Sequence, residues 1–366
     1  MQALASVLSE RFGRRFILLL SACLFLPPNV ARAASVTVDC TGGTPGAFTS
    51  ITAALNTLDQ QGPHTIFIKP CHYVERVVVI ERERITFDAT PLGGAFVDSP
   101  DGSAPIVISG SHAISLIQMG ATGSGFNGIV VNRHSEASIL GMTIQGNGGN
   151  GVVVRGGSTV LFGDNNISFN GANGVNIVED SVGTFVGSAP GANGLLLEGN
   201  SSAGLRCSHG AVCFVNGFLT AQNNGLGGLI VSNGARAQIE SDDGPNTFQG
   251  NAFAGIVVAR NASAVIFGSS RTFVQNNTGL GFDVEGNSSL VVFDTTVTNN
   301  SQPGLSAVRI SLTEFGGNNV FTGNGTANVE CDTTSLFSGD LTGIQNISCL
   351  KIERAKGPPR PGKVDK

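Results

Sequence analysis

Eight glycines, Gly128, Gly151, Gly174, Gly204, Gly228, Gly255, Gly281 and Gly304, each open an apolar, any, apolar triplet, and Asn328 takes a ninth slot. The intervals are 23, 23, 30, 24, 27, 26, 23 and 24 residues, a mean of 25. A period in this range marks a solenoid, in which a unit buries its apolar face only by stacking on its neighbours. Four residues before every slot from 151 onward stands an asparagine: Asn147, Asn170, Asn200, Asn224, Asn251, Asn277, Asn300 and Asn324. Asparagine tolerates a left-handed bend and bonds the backbone around it, so stacked copies are expected to form a ladder. The 30-residue unit keeps this register because its surplus falls between Gly187 and Gly194, in a Ser-Ala-Pro-Gly-Ala-Asn loop.

Each unit holds three apolar pieces, as in Ile256-Val257-Val258, Ala264-Val265-Ile266-Phe267 and Thr272-Phe273-Val274. These are strand-sized and too short for helices. With 51 glycines, 30 asparagines and only 13% charged residues in 366, the composition suits many tight turns. Of 23 aromatics 22 are Phe, which places most aromatic surface inside and weakens a lectin-like or nucleic-acid stacking reading.

Three short strands per coil with an Asn at one bend resemble the right-handed parallel β-helix repeat of the pectin lyase-like superfamily. The resemblance covers about residues 36 to 350 and implies an all-β solenoid over 34–350, with three strands and about 25 residues per coil. Some twelve coils at ~4.8 Å would make a rod roughly 55 Å long. The fold hosts lyases, hydrolases, esterases, epimerases and non-enzymatic adhesins, so it implies no single activity. The solenoid's ends need covers. At the N-terminal end Thr49 or Ser50 caps an expected helix whose Ile51, Ala54, Leu55 and Leu58 follow helical spacing.

Residues 1–33 read as a cleaved secretory signal: Arg11, Arg14 and Arg15 precede an apolar run from Phe16 to Leu26, then Ala31-Arg32-Ala33. Leu20-Ser21-Ala22-Cys23 offers a competing lipoprotein cut. No apolar run reaches the length of a membrane span. Removing the leader takes Glu10 and four arginines from 26 acidic and 21 basic groups, leaving a net charge of −8. A nucleic-acid partner is therefore not expected. Six cysteines remain as near neighbours, Cys40 with Cys71, Cys207 with Cys213 and Cys331 with Cys349, which in an oxidising compartment reads as three disulfides. Zinc is the rival reading, but no Cys-x-x-Cys occurs and His209 is the only histidine near the central pair. Lys351–Lys366 is Pro-rich and basic and reads as a disordered tail.

Phe48-Thr49-Ser50-Ile51 followed by Ile66–Glu75 is similar to the opening of pectin methylesterases, with Cys71 in place of a glycine. The family's catalytic motifs do not follow: Thr159 and Ala264 stand where its nucleophilic Asp would be, and the chain has no Trp. The polygalacturonase set fails too, since His209 precedes Asp242-Asp243 and Ser311 replaces a Lys. A calcium-dependent lyase needs a carboxylate cluster. Asp283 and Glu285 supply two oxygens, but the same slots in flanking units hold Val257, Ala259, Ser306 and Val308, so calcium is left unsupported and no other metal or cofactor is expected.

The position five after each slot glycine gives Arg133, Gly156, Glu179, His209, Asn233, Arg260, Gly286 and Arg309. Stacking makes Glu179 and His209 neighbours, candidate proton-transfer partners. With Arg155, Arg206 and Arg260 they form a polar stripe suited to an anionic polysaccharide; an exposed ion pair on a turn is the plainer reading. The expected function is an exported scaffold that contacts extracellular or cell-surface polysaccharide without a recognisable active site. The alternatives are a lyase, hydrolase or epimerase on a uronic-acid polymer, and a non-catalytic adhesin or matrix protein.

Overall fold

The computed structural model describes residues 33–90, 94–188 and 194–349. The expected leader, most of the 187–194 loop and the basic tail lie outside the described residues. The strands assemble into three parallel sheets of 12, 13 and 11 strands. Each coil visits them in turn, as in Ile129–Asn132, Glu136–Leu140 and Thr143–Gln145. We call these sheets 1, 2 and 3. Sheet 1 follows the slot glycine, and its register steps by one unit per coil, Ile129 onto Val152 and Val175 onto Leu205. Thirteen strands at ~4.8 Å give a rod of roughly 58 Å.

Alternation explains the core. In Ser263–Phe267, Ala264 and Ile266 face inward while Val265 faces out. Phe162 and Phe185, one coil apart, stack with centroids 4.6 Å apart and planes at 3°. Phe126, Phe169 and Phe253 depart from the expected inward bias and stay exposed.

The asparagine ladder forms in the turn from sheet 3 to sheet 1. Each ladder side chain from Asn147 to Asn300 donates an Nδ2 hydrogen to the Oδ1 of the next ladder asparagine at 2.8–3.1 Å. The other hydrogen goes to a strand carbonyl of the preceding coil, Ala121 for Asn147 and Leu197 for Asn224. The left-handed residue is not the ladder asparagine, as expected from its conformational tolerance, but the residue before it: Gly146, Phe169, Gly199, Asn223, Gly250, Asn276, Asn299 and Gly323 all have positive φ. The amide is selected for its paired donor and acceptor, not for the bend.

The turn from sheet 1 to sheet 2 carries two consecutive left-handed residues, Arg133-His134, Glu179-Asp180, Arg260-Asn261 and Arg309-Ile310 among them. A serine column follows: the N–H groups of Ser111, Ser135 and Ser158 donate to the Oγ of Ser135, Ser158 and Ser181. Alanines replace the serine at 211, 235 and 262. The buried Cys207–Cys213 disulfide spans the turn at the first of these.

At the N-terminal end the helix Ile51–Asn56 covers the first coil, with Ile51, Ala54 and Leu55 buried. Ser50 Oγ accepts from the Ala53 N–H, which settles the cap. Glu75 completes it: its carboxylate accepts from Ser50 Oγ and from the N–H groups of Ile51 and Thr52 at 2.7–2.8 Å. Tyr73 is buried and donates to the Lys69 carbonyl. The esterase-like opening is thus a capping device here. Cys40–Cys71 ties the chain before the helix to the strand Cys71–Val74, and Cys331–Cys349 joins paired neighbouring strands at the far end. Among the described residues no helix is long and apolar enough to cross a membrane.

Candidate functional site

The outer face of sheet 1 is recessed. Its outward Val153 and Val257 are 8% and 7% exposed, whereas Leu161 and Val265, outward on sheet 2, are 38% and 37% exposed. Parallel stacking puts one outward residue per coil into the same row along this face. Its floor reads Val78, Val107, Val130, Val153, Asn176, Arg206, Ile230, Val257, Asp283 and Ser306.

Over the first coils the groove opens to about 650 Å³ and is lined by Arg76, Arg133, His134, Arg155 and Glu179 above an apolar floor of Val78 and Val107. Among the described residues the ion pairs are His64–Asp59, Lys69–Asp39, His72–Asp98 and Arg309–Glu285, so these three arginines keep their charge free for a ligand. On the same face, Asn132 Oδ1, Asn176 Oδ1, Arg206 Nε and Ser232 Oγ are buried without a hydrogen-bond partner within the protein. All four belong to the outward face of sheet 1. Buried polar groups are normally paired, and this face carries four of the exceptions.

The stripe residues divide. Arg155 and Glu179 line the groove, and Arg206 lies on its floor beside Asn176. Glu179 and His209 are register neighbours, and the Asp180 N–H donates to the His209 carbonyl at 3.1 Å. Their side chains form no ion pair, and the His209 ring instead contacts Ser208 Oγ at 3.1 Å. Arg260 occupies the left-handed column, its N–H bonded to the Glu285 carbonyl. Asp242 is held below the usual carboxylate range by hydrogen bonds from Ser269, as a turn cap would be.

Asp283 and Glu285 project from the strand Leu280–Glu285 onto the same outward face. Asp283 is 8% exposed, and burial pushes its carboxyl up to about 6, with the Glu285 charge adding and Arg309 opposing. Glu285 accepts from Arg309 Nη1 at 2.8 Å. Among the described residues no three His, Cys, Asp or Glu come together to hold a metal ion. A second recess of about 420 Å³, on sheet 3 around Thr143 and Thr220, has Asp164 already engaged by the Ser188 N–H.

Sequence reasoning passed over Arg76 as a groove residue because the first coils lack the slot glycine. Register places Val77 level with Ile106 and Ile129, so Arg76 and Pro105 occupy the positions that Gly128 fills later.

These features define a right-handed parallel β-helix. The pattern of a right handed beta helix region matches residues 127–217. Two solved structures from Azotobacter vinelandii share the fold. The A-module of mannuronan C-5 epimerase AlgE4 is 14% identical over 78% of this chain and 88% of that one, with a TM-score of 0.57. The A-module of AlgE6 is 13% identical over 78% and 87%, also with a TM-score of 0.57. No curated protein matches the sequence.

Proposed function

We propose that the chain is an exported β-helix protein that binds a linear acidic polysaccharide along the sheet 1 groove. The observation that carries this is the set of Arg76, Arg133 and Arg155 lining one end of the groove without a carboxylate partner, on a sheet face that also holds four unpaired buried polar atoms. Guanidinium groups take carboxylates bidentately, and amide, hydroxyl and Nε groups take sugar hydroxyls. A groove along the rod suits an extended polymer more than a compact ligand. Fold neighbours that act on mannuronan agree with a uronate ligand. Three disulfides agree with an oxidising compartment outside the cytosol.

The test is retention on immobilised polymannuronate and polygalacturonate. Wild type is retained and elutes with rising salt, whereas R133E/R155E runs through. Equal retention of the two proteins would sink this reading. A non-catalytic adhesin is the second reading, favoured by the exposed Leu226 and Phe253 on adjacent coils; it predicts no retention on either polymer.

A further inference from the structure

Sheet 2 turns an apolar face to solvent. Six of the fifteen exposed large apolar side chains among the described residues project from it: Phe67, Leu161, Val186, Val265, Leu312 and Leu336. Phe214, Phe267, Val291 and Phe293 face the same way and are half-buried. Phe293 lies across Gly316, where a Cβ would stand 2.0 Å from its ring, so the glycine keeps the aromatic low on the sheet. Apolar surface contiguous over several strands marks a contact with another molecule. Over the eight strands from His112–Ile117 to Ser289–Phe293 the acidic and basic residues on this face are Glu136, Arg236 and Glu240. Glu136 begins its strand, at the rim. Arg236 and Glu240 stand at opposite ends of one strand in the middle of the face, and neither enters an ion pair among the described residues.

We propose that sheet 2 is the interface of a homodimer in which two rods lie side by side, pointing the same way, about a two-fold axis that runs along them. Such an axis sets each strand against the same strand of the second copy with its direction reversed. Arg236 then meets Glu240 of the second copy and Glu240 meets its Arg236, so two charges that one chain leaves unpaired on an apolar face are matched twice. The central row, which register runs through Leu161, Thr184, Phe214, Gln238, Val265 and Val291, meets its own equivalents. The pattern is its own complement, which points to a second copy of this chain rather than an unlike one. Eight strands at ~4.8 Å, each of about five residues at ~3.3 Å, give a face of roughly 38 by 16 Å, so the pair buries on the order of 1,200 Å² in all, enough for a stable specific interface. Sheet 1 takes no part in this contact, and the arginine ends of both grooves come to the same end of the pair.

The interface stands or falls independently of polysaccharide binding, and sedimentation velocity tests it on wild type, R236E, E240R, R236E/E240R and L161E/V265E, each with a native circular dichroism spectrum. Wild type is expected to sediment as a dimer at about 20 μM. R236E and E240R each bring like charges together across the axis and should raise the dissociation constant at least ~10-fold. R236E/E240R should associate as wild type does, and an equal mixture of R236E and E240R should form the heterodimer, because each like-charged strand then meets its opposite. L161E/V265E should be monomeric. Wild type that stays monomeric at about 100 μM overturns the interface and leaves the face to a partner of another kind. An L161E/V265E variant that still dimerises overturns it too, as does R236E/E240R associating no better than the single variants.

Discussion

Gly228 lies against the ladder amide of Asn251: a Cβ on Gly228 would stand 3.0 Å from Asn251 Nδ2 and 2.8 Å from the Gly255 carbonyl. The same relation joins Gly151 to Asn170 and Gly174 to Asn200. The slot glycine therefore exists to admit the ladder asparagine of the next coil, and the two signals are one device. Substituting G228A forces either the amide or the neighbouring backbone aside. Urea unfolding should show a loss of about 1–3 kcal/mol, the usual cost of overpacking.

Removing a central rung is expected to cost more. In N224A the Nδ2 and N–H of Asn200 lose their acceptor, and the Leu197 carbonyl and Asn251 Oδ1 lose a donor. Several buried groups left unpaired at roughly 1–3 kcal/mol each should add to 3 kcal/mol or more. N233A, in the turn from sheet 1 to sheet 2 and outside the ladder, serves as the control and should stay within about 1 kcal/mol of wild type.

Asp283 makes stability depend on pH in a defined window. Its carboxyl holds a proton to about pH 6 when folded, against 3.8 when free, so its contribution is fully present below 3.8 and is lost as pH rises to 6. D283N removes the ionisation. The variant should match wild type near pH 3.5 and exceed it by about 2–3 kcal/mol above pH 7, read from thermal or urea unfolding. Identical pH profiles for the two proteins would refute this account.

The Cys207–Cys213 bridge closes six residues across the turn that carries His209. Chain-entropy arithmetic for a loop this short gives about 2 kcal/mol. C207A/C213A should lose that amount, together with the cost of the smaller side chains in the core, while retention on uronate columns persists because neither sulfur faces the groove.

Periodic features were legible in the sequence and local contacts were not. The slot glycines and ladder asparagines recur in each unit from Gly151 to Gly304, so their stacking gave coil register and placed Glu179 beside His209. The serine column escaped notice because Ala211, Ala235 and Ala262 interrupt it. The groove escaped for a different reason: whether an outward valine lies in a recess depends on how the flanking turns rise beside it, and period alone cannot distinguish Val153 from Val265. Arg76 lay in a coil with no slot glycine to announce it. Glu75 was visible as part of an esterase-like opening, but only the structure shows that its carboxylate serves a helix terminus.

The ladder has two ends. At the first, Asn147 Oδ1 accepts from the Ser124 N–H; at the last, Asn324 passes its hydrogen to Asn328, which donates to the Gln345 carbonyl. Coils within that span each lean on both neighbours through side chains as well as strands, so losing one weakens two. The coils before it depend on strand pairing, the helical cap, the Cys40–Cys71 disulfide and the start of the serine column. Under stress the rod should melt in two segments of unequal cooperativity, the early coils opening first, and hydrogen exchange would show the boundary close to residue 124.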